Sequence, residues 1–126
     1  PPAKAATPPN LDLTDQILYE FLLAEIAGQR GNPALAAQAY VDLARRTRDP
    51  RIARRATEVS RMARQPVFAV ESARIWYETD PESREALRTL TGLLVSTNRV
   101  EEAQPYLQKI LAAEGNGQAE ILRYAG

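Results

Sequence analysis

Three copies of one spacing limit what this chain can fold into. In the stretch GNPALAAQAYVDL, Gly31–Leu43, Ala36 is followed by Tyr40 and Leu43, and the register returns as Ala69, Ala73 and Trp76, then as Ala103, Leu107 and Ile110. Ala36, Ala69 and Ala103 stand 33 and 34 residues apart. Steps of three and four within each copy put its members on one face of a helix. A period near 34 leaves room for two helices and two turns per unit. One such unit cannot bury its apolar face alone, so the copies must stack on one another.

The composition agrees with helices. Of the 126 residues, 44% are hydrophobic but only 6% aromatic, which suits close helix-on-helix packing better than a sheet of β-branched and aromatic side chains. Charge is balanced, 16 basic against 16 acidic residues, so no overall field draws the chain to nucleic acid. The local distribution is uneven. Residues 30–64 hold nine arginines against Asp42, Asp49 and Glu58, whereas residues 65–126 are acidic on balance. Cysteine and histidine are both absent, which removes disulfides and thiolates, the commonest general base and the commonest metal ligand. No apolar run is long enough to cross a bilayer, and no signal-peptide pattern is read in these residues. A start at Pro1 rather than Met predicts a processed or shortened chain.

Read in order, residues 1–13 are a Pro-rich tether, with Pro1, Pro2, Pro8 and Pro9 among small and polar residues. Helix is predicted from near Asp15, capped by Thr14, with apolar residues around most of its surface from Ile17 to Ile26. Asn32-Pro33, Asp49-Pro50, Gln65-Pro66 and Asp80-Pro81 each read as a helix start with proline in the first turn. The fifth helix is predicted over about 82–97 and the sixth over about 100–113, with Pro105 giving at most a mild kink. Gly115-Asn116-Gly117 is read as the stop, followed by a stump at 118–126. The units are then 15–48, 50–79 and 82–113 within a helical domain, 14–126. Because Ile121, Leu122 and Tyr124 are apolar, the end resembles a cut rather than a closing cap.

Clusters that could carry chemistry have plainer readings. Glu101 and Glu102 are sequence neighbours, which point apart on a helix. Ser60, Ser72, Ser83 and Ser96 have no histidine to activate them, and Gly115-x-Gly117 lacks the strand and lysine of a phosphate loop. No catalytic residue, metal or cofactor is predicted. Tyr40 and Trp76 fall on the apolar face at the repeat's own spacing, so core packing is preferred to a base-stacking platform. The arginines from Arg45 to Arg64 leave three readings open: a solvated helix face, a surface for an acidic or carboxylate-bearing protein, and a nucleic-acid contact.

The small-x-x-x-large pattern resembles tetratricopeptide repeats. The first copy offers Glu20, Leu23, Ala24, Ala27, Ala36 and Tyr40; the second Ala53, Ala56, Thr57, Ser60, Ala69, Ala73, Trp76 and Pro81; the third Leu87, Leu90, Thr91, Leu94, Ala103, Leu107 and Ile110. The opening Trp of that pattern is missing from every copy. Leu18-Tyr19-Glu20-Phe21-Leu22-Leu23-Ala24-Glu25-Ile26-Ala27-Gly28-Gln29-Arg30, with Asp49-Pro50-x-x-Ala53, further resembles the amino-terminal repeats of proteobacterial outer-membrane lipoproteins that act as adaptors for periplasmic carboxyl-terminal processing proteases. The resemblance implies an all-α solenoid of three hairpins in a right-handed curve, with first helices lining the inner surface. It also implies a non-enzymatic scaffold, a protein or peptide partner such as a periplasmic protease, and an envelope location. The lipidated cysteine of such proteins is not in this chain.

With first helices inside, register locates a partner surface. Arg54 and Arg88 are 34 residues apart, and Phe21 precedes Arg54 by 33. Arg51 and Arg61 share the face of Arg54, and Leu18 extends the apolar end beside Phe21. The expectation is a groove seating an apolar side chain near Leu18 and Phe21 and an acidic group near Arg51, Arg54, Arg61 and Arg88. Self-association through open repeat ends is the structural alternative, and a nucleic-acid-binding fragment a weaker one.

Overall fold

The computed structural model describes the backbone of residues 13–125 and the side chains of residues 14–116; the tether at 1–12 and the apolar side chains at 121, 122 and 124 lie outside these. Among the described residues there are six helices and no strand: α1 Leu13–Gln29, α2 Pro33–Thr47, α3 Pro50–Met62, α4 Pro66–Thr79, α5 Arg84–Ser96 and α6 Val100–Ala125. Each helix packs on the next, and α2 also packs on α4 in the following hairpin. This is an α-solenoid, in which contacts run between neighbouring units.

Small residues let the helices approach. Ala36, Ala37, Ala44, Ala53, Ala56, Ala69, Ala73, Ala86 and Ala103 are all buried, and Tyr40, Val41, Leu43, Leu90 and Leu94 interlock around them. Tyr40 is wholly buried, and the edge of Phe21 meets its ring at 5.4 Å and 88°. Trp76 sits in the same core as Ala53, Ala56 and Ala86, so both rings are packing residues, in keeping with the repeat spacing. Buried Thr57, Ser72 and Thr91 donate to the carbonyls four residues back, at 2.7–2.8 Å. Each thereby removes its own desolvation penalty.

The starts of α2 and α3 follow their caps, whereas α1 already includes Thr14, the expected cap, and begins at Leu13, and α4 begins at Pro66 without a side-chain cap from Gln65. Asn32 Oδ1 accepts from the Leu35 N–H at 3.3 Å, and Asp49 Oδ1 from the Arg51 N–H at 2.8 Å. The fifth helix does not open at Asp80-Pro81. Asp80 closes α4 instead, the Ser83 N–H donates to the Asp80 carbonyl at 3.0 Å, and Ser83 Oγ accepts from the Ala86 N–H at 3.1 Å. Aspartate and serine cap about equally well, and it is Ser83 whose oxygen reaches an early N–H, which sets the start at Arg84. Turns are closed by left-handed residues: Gly31 (φ 79°), Arg48 (51°), Arg64 (56°) and Asn98 (63°).

The sixth helix departs most from expectation. It does not stop near Ala113 but runs through Gly115-Asn116-Gly117 as one α-helix to Ala125. A glycine stops a helix by turning left-handed, and Gly31 is the one glycine with positive φ among the described residues. Without that turn, Gly115 only weakens the helix. Pro105 lies inside α6, near its start, where the one hydrogen bond it removes would have gone to Glu101.

Candidate protein-interaction surface

The sequence-predicted residues divide between two regions. Arg61 of α3 and Arg88, Thr89, Gly92, Leu93 and Ser96 of α5 line one open cleft of about 400 Å³ between successive first helices. Leu18 and Phe21 belong elsewhere. Phe21 is half-buried against Tyr40 as part of the core, whereas Leu18 is 57% exposed beside Leu22, Leu23 and Ile26. Arg51 turns back to its own helix start, donating to both oxygens of Asp49 at 2.8–3.1 Å. Register thus brings Arg61 and Arg88 together, but it does not bring Leu18, Phe21 or Arg51 to that cleft.

Most arginines are engaged by carboxylates from a neighbouring helix. Arg54 of α3 pairs with Glu85 of α5 at 3.2 Å and with Glu58 at 3.4 Å, its guanidinium 5.8 Å from the Trp76 ring centre. Arg55 of α3 reaches Glu25 of α1 at 3.4 Å, and the Tyr40 hydroxyl donates to the same carboxylate. On the second helices Arg45 holds Glu71 in two-point contact, and Arg74 meets Glu102 at 3.0 Å. Arg46 pairs with Glu20, Arg88 with Glu114 at 2.9 Å, and Arg48 with Glu78 at 3.9 Å. Lys109 of α6 donates to the Tyr77 hydroxyl of α4 at 3.1 Å. The first-helix row and the second-helix row are therefore each bridged from one unit to the next.

These pairs answer the charge question raised by residues 30–64. Apart from Glu58, their acidic partners lie 26 to 31 residues away, in neighbouring helices, so a basic stretch in sequence becomes a mixed surface in space. Pairing of this kind offsets part of the positive charge that a phosphate backbone would meet. The pairs are largely exposed, so each contributes only about 0–1 kcal/mol. The two-point contact from Arg45 holds Glu71 below the usual carboxylate range. Arg51, by side-chain and then backbone hydrogen bonds, does the same to Asp49.

Two features escaped sequence reading. One is a cleft of about 320 Å³ between α1, α2 and α3, with Ala24, Ala36, Val59 and Met62 on its apolar side and Glu25, Tyr40 and Arg55 on its polar side. The other is the α5 wall at Thr89, Leu93 and Ser96, whose spacings of four and three mark a single helix face and were legible in the sequence. Among the described residues no group of acidic side chains could hold a metal ion, and no helix is long and apolar enough to cross a membrane.

No protein-family model matches the chain. Over 109 residues, 86% of its length, it is 30% identical to the TPR repeat-containing protein PA4667 of Pseudomonas aeruginosa, and the match spans 18% of that longer protein. Paired helices recur at 33–34 residues, alanines sit at their crossings, and a protein described by the same repeat is similar over most of the chain. The chain is an array of tetratricopeptide-type repeats.

Proposed function

We propose that the array is a non-enzymatic adaptor that seats an acidic or carboxylate-bearing segment of a partner protein in the cleft between α3 and α5. The observation that carries this reading is the cleft itself. Arg61 and Arg88 stand on its walls with Thr89, Ser96 and the apolar Leu93, a mixture of charge, hydroxyl and apolar surface suited to an extended peptide. Arg61 makes no ion pair with a described residue, so its guanidinium is available to a ligand. The resemblance of Leu18–Arg30 to envelope lipoprotein adaptors supports a partner in the periplasm, with a processing protease as the class to try first.

The test is site-specific photocrosslinking. A photoreactive residue at Thr89 is expected to capture one partner, whereas the same residue at Gln38, exposed on α2, captures none. The identified partner, purified, should then bind in a salt-sensitive manner. Equal crosslinking from both positions would contradict the assignment of the cleft.

One observation favours self-association as a second reading. Leu18, Leu22, Leu23 and Ile26 leave α1 with a row of side chains each 44–57% exposed, more apolar surface than a free helix face usually shows. A concentration-dependent dimer lost in a Leu18→Ser, Leu22→Ser variant would support it; a monomer at every concentration would exclude it.

A further inference from the structure

The turn from α3 into α4 is built unlike its counterparts. Starts α2, α3 and α5 each receive a side-chain oxygen on an early N–H, from Asn32, Asp49 and Ser83, whereas α4 follows Gln65 and receives none. Its first N–H groups and its positive dipole end therefore stay open to an anion. Ser60, wholly buried, lines the adjoining cleft, and its Oγ is a buried side-chain oxygen without a hydrogen-bond partner. Native structures rarely leave such an atom unsatisfied unless a ligand or water completes it. The same cleft, about 460 Å³, is walled by Arg61, Arg64, Pro66, Ala69, Leu93 and Ser96. Neither arginine pairs with a described carboxylate. Arg48, also left-handed at the end of its helix, does pair, with Glu78. Arg64 holds the same backbone conformation, where glycine would be easier, without any such partner.

We propose that this cleft is a carboxylate site, in which Arg61 and Arg64 fork around the anion, the N-terminus of α4 faces it, and Ser60 donates its hydroxyl. Pro66, Ala69 and Leu93 then seat a short apolar side chain beside the carboxylate. A planar monoanion with an apolar neighbour suits this lining. The inorganic-phosphate alternative would find neither lysine nor a glycine-rich cradle there. The site deepens the protein-binding reading, on which it rests, by fixing where and how one anionic group of the partner is held. It lies at the rim where first helices end and second helices begin, continuous with the α3–α5 cleft through Arg61, Leu93 and Ser96.

The experiment is a nitrogen-15 NMR titration of the whole chain, following the arginine Nε–H signals and the amides of Val67 and Phe68. The probes are acetyl-Gly-Ser-Ala-Leu with a free carboxyl end, the same peptide as its amide, acetyl-Gly-Glu-Ala-Leu amide, and inorganic phosphate. A carboxylate-bearing probe is expected to shift the Arg61, Arg64, Val67 and Phe68 signals at millimolar concentration, and the neutral amide is not. Stronger shifts from the first peptide identify a chain terminus as the natural group, and stronger shifts from the glutamate peptide an acidic side chain; either upholds the site. Arg61→Gln with Arg64→Gly should weaken binding at least tenfold without lowering the melting temperature, while Arg30→Gln with Arg99→Gln, which removes an equal charge at two exposed positions outside the cleft, leaves it unchanged. Absent shifts, equal shifts in the double variant, or shifts with phosphate alone would overturn the proposal. Such a failure is separable from failure of the adaptor reading, because crosslinking from Thr89 does not depend on Arg64 or Ser60.

Discussion

At the scale of single residues, backbone conformation and charge pairing make separable demands. Arg64 at φ 56° carries the strain of a left-handed non-glycine residue, a penalty of order 1 kcal/mol. Arg64→Gly is therefore expected to stabilise the fold by about 0.5–1 kcal/mol in urea denaturation, part of the gain being offset by a more flexible unfolded chain. A loss of stability would mean that the guanidinium is structural. Glu71 and Asp49 have folded-state pKa values below their unfolded ones. Their contribution is thus fully present above the unfolded carboxylate value, near pH 4, and is lost as pH falls through the lower folded values. Comparing Glu71→Gln with the parent at pH 7 and at pH 3 should show a stability gap that closes in acid. A gap independent of pH would place the stabilisation in packing rather than in the Arg45 contact.

Elements show how far periodicity reads and where it stops. Four of the predicted helix starts rested on proline after a polar residue, and three hold because proline fixes φ where no N–H is needed. The fourth gave way to Ser83 because a side-chain acceptor in reach of an N–H outweighs a preset φ. Core positions were legible for the same local reason, since the face of Ala36, Tyr40 and Leu43 depends on helix geometry alone. The continuity of α6 was not legible. Glycine permits a stop without compelling one, and the decision lies in the φ that Gly115 adopts. A Cβ added at Gly115 would meet nothing within 4 Å. Gly115→Ala should therefore raise helicity measured at 222 nm, alanine being favoured by about 1 kcal/mol in a helix interior. A fall in helicity would show a left-handed stop at that position in solution.

For the whole molecule, repeat register is a good guide to which helices are equivalent but a poor one to the side-chain partners they meet. It aligned Arg54 with Arg88 and suggested a basic stripe, yet Glu85 and Glu114 occupy the same neighbourhood. Glu85 lies on α5, the helix of Arg88 itself, and Glu114 on α6, so the pairing depends on stacking geometry that a linear period does not contain. Arg61 is the predicted residue that combines a place in the α3–α5 cleft with no carboxylate among the described residues. Surface pairs bridge successive units along both rows of helices, so unit-to-unit stacking has an electrostatic part that salt should weaken. The central claim, that the array holds a partner in the cleft between α3 and α5, is tested most directly by the affinity of the crosslink-identified partner for Arg61→Ala, Arg88→Ala. The control is Arg45→Ala, Arg74→Ala, which removes equal charge from the second-helix row. The account predicts at least a tenfold loss for the first variant, a change within twofold for the second, and a steeper salt dependence for the parent than for the first variant. Equal losses in both, with folding intact, would contradict it.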